Sequence, residues 1–247
     1  MKNFSVLLIL MMCLLLVVGC CGHKPQLILT SGNTDVHEFQ TALDSSVLIQ
    51  LRSFDLIQQG AGSGVAYERT PKGMTRILTA GHVCDFALVA GLTPWVVSLE
   101  HGLAQAEVLL IWGSEIKDLC IIETALDIPV AELAEMNAEF GAPIWNVSAP
   151  GGEYPLPFKG YVAGPDETRW RVRATLYGRG GMSGSAIWQD GKVAGILVER
   201  ATVAAHIPTS AVVRIIPSWR IEEFLTLVDI LGYYWEAADE EATTSSP

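Results

Sequence analysis

Three short segments hold the residue types that nucleophilic acyl transfer needs. Gly180-Gly181-Met182-Ser183-Gly184-Ser185 places a serine in a glycine-rich turn between strand-like runs. Leu78-Thr79-Ala80-Gly81-His82-Val83 ends a strand-like run in small residues and a histidine. Lys117-Asp118-Leu119-Cys120-Ile121-Ile122 sets an aspartate at the mouth of an apolar run. The chemistry requires a nucleophile, a base to take its proton, a carboxylate to orient the base, and backbone donors for the oxyanion. Glycines around a serine admit positive φ and let N–H groups approach a bound carbonyl. Each segment alone is weak. Gly-x-Ser-Gly is more often a plain β-turn, a lone histidine after a strand is usually structural, and an aspartate at a strand start is usually a solvated charge. The signal lies in finding all three in one chain, in the order His, Asp, Ser.

The segments between them read as the scaffold. Val47–Leu51, Gly62–Tyr67, Arg76–Thr79, Trp95–Leu99, Ala106–Ile111 and Leu119–Ile122 are short apolar or alternating runs broken by turn residues. Ala131–Phe140 is polar and helix-tolerant, and is expected to link two halves. A second β-rich set follows from Pro143 through Tyr161–Ala163, Arg169–Ala174, Ala186–Trp188, Val193–Val198 and Val212–Ile216. This spacing predicts an all-β barrel or sandwich in two halves. Ser218 is placed to cap a closing helix with Ile221, Phe224, Leu225, Val228 and Leu231 on one face. No internal repeat is visible.

With Gly62-Ser63-Gly64-Val65 ahead of the histidine, the ordered motifs resemble those of the trypsin-like, chymotrypsin-fold serine proteases over roughly Val47 to Tyr234. The likeness is nearest to bacterial and viral branches with a Gly-Ser-Gly-x strand and a Gly-x-Ser-Gly-Ser nucleophile motif. It implies two six-stranded-type antiparallel β-barrels with the active site in the cleft between them, closed by a C-terminal helix. The protease domain would span 46–235, with barrels at about 46–130 and 143–217 and the helix at 218–235. Ser183 would attack, His82 would act as base and then acid, and Asp118 would fix the imidazole tautomer. The N–H groups of Gly181 and Ser183 would form the oxyanion hole. Ser185 departs from the commoner glycine, as it does in glutamyl endopeptidases. No Ile-Val-Gly-Gly-like segment is present, so zymogen cleavage is not expected.

The resemblance also points to the lining of the specificity pocket: Tyr177, Leu197, Val198, Glu199 and His206. The glutamyl-specific branch has a histidine where this chain has Leu197, so an apolar pocket for small or medium aliphatic residues is expected. The alternative is Glu199 selecting Lys or Arg. Cys84 and Cys120 each lie two residues beyond a triad member. If the triad assembles, they either form a disulfide beside it or pack as two buried thiols.

Composition sets the compartment and excludes some functions. Lys2 followed by the apolar run Val6–Val18 reads as a signal peptide over 1–19. Val17-Val18-Gly19-Cys20 resembles a bacterial lipobox, making Cys20 the expected lipidation site and the cell envelope the expected location. Residues 20–45 read as a flexible tether and 236–247, with Asp239, Glu240 and Glu241, as an acidic disordered tail. A net charge of −11 without a basic stripe argues against nucleic acid. The scattered His23, His37, His101 and His206 give no metal-ligand spacing, so neither metal nor cofactor is expected. The expected partners are protein or peptide substrates and, through the lipid, a membrane. The rival reading is a non-catalytic binding lipoprotein that kept the protease fold. An α/β-hydrolase esterase would need Ser before His, which the order contradicts.

Overall fold

The computed structural model describes residues 34–113, 117–167, 170–200 and 212–230. The side-chain contacts considered below lie within the unit His37–Pro247. Helix α1 (Thr34–Ser45) leads into β1 (Ser46–Arg52), β2 (Gln58–Arg69), β3 (Thr75–Ala80), helix α2 (Gly81–Val89), β4 (Thr93–Ser98), β5 (Gly102–Trp112) and β6 (Leu119–Thr124). These six strands close as an antiparallel barrel in the order β1-β2-β3-β6-β5-β4. The second set is β7 (Pro143–Ser148), β8 (Leu156–Pro165), β9 (Val172–Thr175), β10 (Ala186–Gln189), β11 (Lys192–Arg200) and β12 (Val212–Pro217). It closes in the order β10-β11-β12-β9-β8-β7. Helix α3 follows directly at 218–230. The expected architecture of two six-stranded antiparallel barrels with a C-terminal helix is what is found.

Closure gives every strand two neighbours, so no edge is left to template aggregation. Barrel 1 is filled by residues that share one face of its strands, such as Val47, Ile49, Ile77, Val96 and Ile122. Barrel 2 has its own core of Ile144, Val162, Ile187, Leu197, Val213 and Ile215. The outward faces of β10, β11 and β12 are also apolar. Trp188, Ile196 and Ile216 join the barrel 1 cluster together with Ile221 and Phe224 of α3. This shared core holds the two barrels together, and so fixes the surface where the candidate residues meet.

Two expectations are corrected, the tether and the Ser218 cap. Residues 20–45 were expected to be a flexible tether, but α1 occupies Thr34–Ser45. Phe39, Ala42 and Leu43 share one face at helical spacing and pack on the barrel 1 core. The 131–140 linker has no helix. It runs extended, with Ala131 N–H donating to Ala66 O (2.8 Å), Val193 N–H to Glu132 O (2.8 Å) and Ala134 N–H to Val193 O (3.0 Å). It is thereby stitched to both barrels. Ser218 stands at the start of α3, but its hydroxyl accepts the Met136 N–H (3.0 Å) rather than capping its own helix. The signal peptide, Cys20, Leu231 and the acidic tail lie outside the described residues.

Candidate active site

The β3–β6 pairing decides where the histidine and aspartate go. In this antiparallel ladder Ala80 sits opposite Leu119. His82, two residues past Ala80, and Asp118, one before Leu119, therefore emerge at the same end of one strand pair. The carboxylate is 9% exposed as a residue and holds His82 twice. Its Oδ1 accepts the His82 backbone N–H at 2.7 Å, and the two carboxylate oxygens lie 3.1 and 3.0 Å from Nδ1. An ionised carboxylate only accepts, so Nδ1 carries the proton and Nε2 is left with its lone pair outward. That is the tautomer a general base needs. Close approach requires glycine at position 81, where a Cβ would sit 3.0 Å from Leu119 N and 3.1 Å from Asp118 Oδ1.

Cys84, on α2, is bonded to Cys120, on β6, so the disulfide joins the two elements that carry His82 and Asp118. Asp118 itself has φ +25°, an uncommon backbone state for a residue with a side chain. Its neighbour Lys117 is anchored over two indoles, 4.2 Å from the Trp112 ring centre and 5.3 Å from that of Trp170. Trp112 stacks on Phe224 of α3 at 5.4 Å, and Arg220 of α3 lies 3.8 Å from the Trp170 centre. Cations over indole faces are attracted by the ring quadrupole. The closing helix thus reaches the approach to Asp118.

The serine turn is built from hydrogen bonds that point carbonyls inward. Gly180 O accepts from Gly151 N–H at 2.7 Å, and Gly181 O accepts from the Ser63 hydroxyl at 2.8 Å. Met182 O accepts both the N–H (3.1 Å) and the hydroxyl (2.7 Å) of Ser185. The peptide bonds are trans, so each amide N–H points away from the carbonyl preceding it. The N–H groups of Gly181 and Ser183 are turned outward, and neither donates to an acceptor among the described residues. Gly184, at φ +89°, presses on barrel 1: a Cβ there would collide with Thr79 Oγ1 and Ser63 O. The turn is therefore seated on the end of β3, next to Ala80 and the start of α2.

Ser63 makes that seat. Its hydroxyl donates to Gly181 O and accepts Ala149 N–H (2.9 Å), its N–H donates to Ser183 O (2.8 Å), and its carbonyl accepts the Thr79 hydroxyl (2.7 Å). The Gly-Ser-Gly string was visible in the sequence, but its part as the bracket between barrels was not. Ser185 is buried, and Asn146 Nδ2 donates to its oxygen at 2.7 Å. Of the two serines in the motif, only Ser183 is partly exposed.

Among the described residues, the expected specificity-pocket residues stand in different surroundings. Tyr177 is exposed and stacks on Phe158 at 5.4 Å. Leu197 and Val198 are both buried, the first in the barrel 2 core and the second in the shared core. Strand β11 is paired on both sides, so these side chains turn into cores. Leu197 meets the serine turn through its backbone, with its carbonyl accepting Gly184 N–H (2.7 Å) and its N–H donating to Ser185 O (2.9 Å). Glu199 is already committed. One carboxylate oxygen accepts from Arg171 Nη1 (2.6 Å) and the other from Arg214 Nη1 (3.0 Å). Burial works against the Arg214 charge, but the Glu199 hydrogen bond and the charges of Glu199 and Asp166 outweigh it and raise its pKa. A carboxylate shared by two arginines is poorly disposed to select a basic side chain. His206 lies outside the described residues.

No family model and no curated protein matches the chain. Solved structures do. The serine endoprotease from Yersinia pestis superposes with a TM-score of 0.65 at 17% identity, covering 79% of this chain and 66% of that one, just under two thirds of its length. The Rv3671c protease from M. tuberculosis, in its active form, gives 0.61 at 18% identity, covering 83% of this chain and 91% of that one. The fold is chymotrypsin-like. At such identities the likeness carries the architecture, and both structural neighbours are proteases by description.

Proposed function

We propose that this protein is a serine endopeptidase, tethered to the outer face of a membrane by lipid on Cys20. The observation that carries the catalytic part is the doubly held His82–Asp118 pair, at the end of a strand pair on which the Ser183 turn is seated. In this reading the Ser183 hydroxyl oxygen attacks the scissile carbonyl while His82 Nε2 takes its proton. The carbonyl oxygen becomes an oxyanion between the N–H groups of Gly181 and Ser183. The imidazolium, steadied by Asp118, returns the proton to the leaving nitrogen, and the C–N bond breaks. Water then repeats the sequence on the acyl-enzyme and frees Ser183.

The test is labelling of folded protein with a fluorophosphonate, followed by peptide mapping. Label on Ser183, lost in Ser183→Ala and in His82→Ala, is the expected result. Folded protein that takes no label would make the fold a non-catalytic binding scaffold instead. The tether is tested separately. Cys20→Ser should release protein from the membrane fraction or stop its processing.

A further inference from the structure

Beside the serine turn lies an open groove of about 480 Å³. One wall is the start of β2, including Gln58, Gln59 and Ala61, and the other is Gly151, Arg179 and Gly181. Gly181 is one of the two outward N–H donors, so the groove begins where a scissile carbonyl would sit. Its direction follows from β2. A Cβ at Gly62 would lie 2.9 Å from the Val83 methyls, and one at Gly60 would lie 3.1 Å from Phe86 Cε1. The β2 wall therefore runs along α2, the helix that carries His82. In acyl transfer the histidine hands its proton to the leaving nitrogen, so the leaving half of a peptide lies on the histidine side. This groove is on that side.

Arg179 is its charged group. It is exposed, and among the described residues its guanidinium makes no ion pair or hydrogen bond. The guanidinium stands over the Gly151 backbone, where a Cβ would lie 3.6 Å from Cζ. Its own N–H is tied to Met182 Sδ at 3.2 Å, which fixes the base of the side chain within the serine turn. By contrast Arg171, Arg214, Arg76 and Arg220 all have carboxylate partners. In a chain of net charge −11, this arginine stands at the mouth of a groove with no carboxylate partner among the described residues. Its planar fork suits a carboxylate. The side-chain amides of Gln58 and Gln59 can donate to such a group but add no repelling charge.

We infer that this groove is a subsite for a carboxylate on the leaving-group side of the scissile bond, read by Arg179. The inference rests on the endopeptidase reading for the word "leaving", but not for the existence of the site. The carboxylate has two sources: an Asp or Glu side chain one or two residues beyond the cleaved bond, or the free C-terminus of a short peptide.

Cleavage of a peptide library, with products mapped by mass spectrometry, reads the preference. Wild type should favour Asp or Glu after the cleaved bond by roughly 1.5- to fivefold in kcat/KM, the range for a solvent-exposed charge pair. Peptides with free and amidated C-termini separate the two sources. Arg179→Gln should abolish the preference, Arg179→Lys should keep part of it, and Arg179→Glu should shift it toward Lys and Arg. Added salt should weaken it. Thermal unfolding of each variant checks the fold. A second measurement does not need turnover: calorimetric binding of a Glu-bearing peptide and its Gln twin to Ser183→Ala. Wild-type protein that takes fluorophosphonate but shows no carboxylate preference, or a preference that survives Arg179→Gln, overturns this inference alone. Protein that takes no label, yet binds the Glu peptide more tightly through Arg179, keeps the site and overturns the peptidase reading.

Discussion

The two barrels are topological copies. Adding six to each strand number of the barrel 1 order, β1-β2-β3-β6-β5-β4, gives that of barrel 2, read in either sense around the closed ring. The candidate chemistry falls in corresponding connections. His82 lies between the third and fourth strands of barrel 1, and Ser183 between the third and fourth strands of barrel 2. Asp118 lies in the fifth-to-sixth connection of barrel 1, whose counterpart in barrel 2 is the 201–211 segment that contains His206. The copies differ in how those connections are held. Barrel 1 uses a short helix, a disulfide and a buried carboxylate, and presents side chains. Barrel 2 uses inward carbonyls and serine hydroxyls, and presents backbone N–H groups. One scaffold used twice can thus supply a proton relay from one copy and an oxyanion cradle from the other.

The largest effects should come from the groups to which the proposed mechanism gives the chemistry. Ser183→Ala and His82→Ala should each lower kcat by about 10⁶-fold, and the double variant should be little worse than either. Asp118→Asn should cost about 10⁴-fold, because geometry survives while the tautomer is wrong. Ser185→Ala should keep most activity, since Met182 O retains the Ser185 N–H and Asn146 Nδ2 retains Ala186 O. Single-turnover assays on these five variants measure this. Additive losses would mean that the two barrels do not act as one unit.

Next come the devices that hold each connection. Cys84 and Cys120 are 36 residues apart, and closing such a loop restricts the unfolded chain by about 4 kcal/mol. Reduction, or Cys84→Ser with Cys120→Ser, should lower Tm by about 8–16 °C. Ser63→Ala acts on the other copy. It strips the partners of Gly181 O and Ala149 N–H, and a buried unpaired polar group costs about 1–3 kcal/mol. Because Gly181 O sets the lie of the serine turn, kcat should fall more than KM rises. The comparison sharpens if losing the disulfide mainly lowers Tm while Ser63→Ala mainly lowers kcat.

Much of this was readable from residues. β6 opens on the apolar run Leu119–Ile122 and β12 is apolar apart from Arg214, and the triad candidates stand at strand ends where turn residues begin. The shared strand order was not readable from residues, because it is set by pairing while the side chains of the two barrels differ. Helix α2 was missed for a local reason. Gly81 to Val89 is apolar almost all round, so no periodicity separates it from a strand continuing past Ala80. Ser63, Lys117 and Arg179 carry no signal by type. Ser63 matters because of a partner 118 residues away, Lys117 because two indoles flank it, and Arg179 because nothing among the described residues pairs with it.

The smallest effect tests how tightly barrel 1 and α3 close over polar groups. Tyr67 is half-buried on β2, and its hydroxyl is shut from solvent with no hydrogen-bond partner among the described residues. Burial, and after it the charge of Glu68, raise its pKa well above the ordinary phenol value. A phenol near pKa 10 in the unfolded chain ionises there first, so the folded state binds more protons above about pH 10. The neutral-phenol contribution is fully present below that pH and is lost as pH rises toward the folded pKa. Tyr67→Phe removes an unpaired hydroxyl and this linkage together. At pH 7 its stability should match wild type or exceed it by about 1 kcal/mol, because no hydrogen bond is lost. Above pH 10 the variant should lose stability less steeply than wild type. Urea unfolding at pH 7 and pH 10.5 checks both statements. A loss of more than about 1 kcal/mol at pH 7 would mean that the hydroxyl has a partner, and that this side of barrel 1 is wetter than its packing indicates.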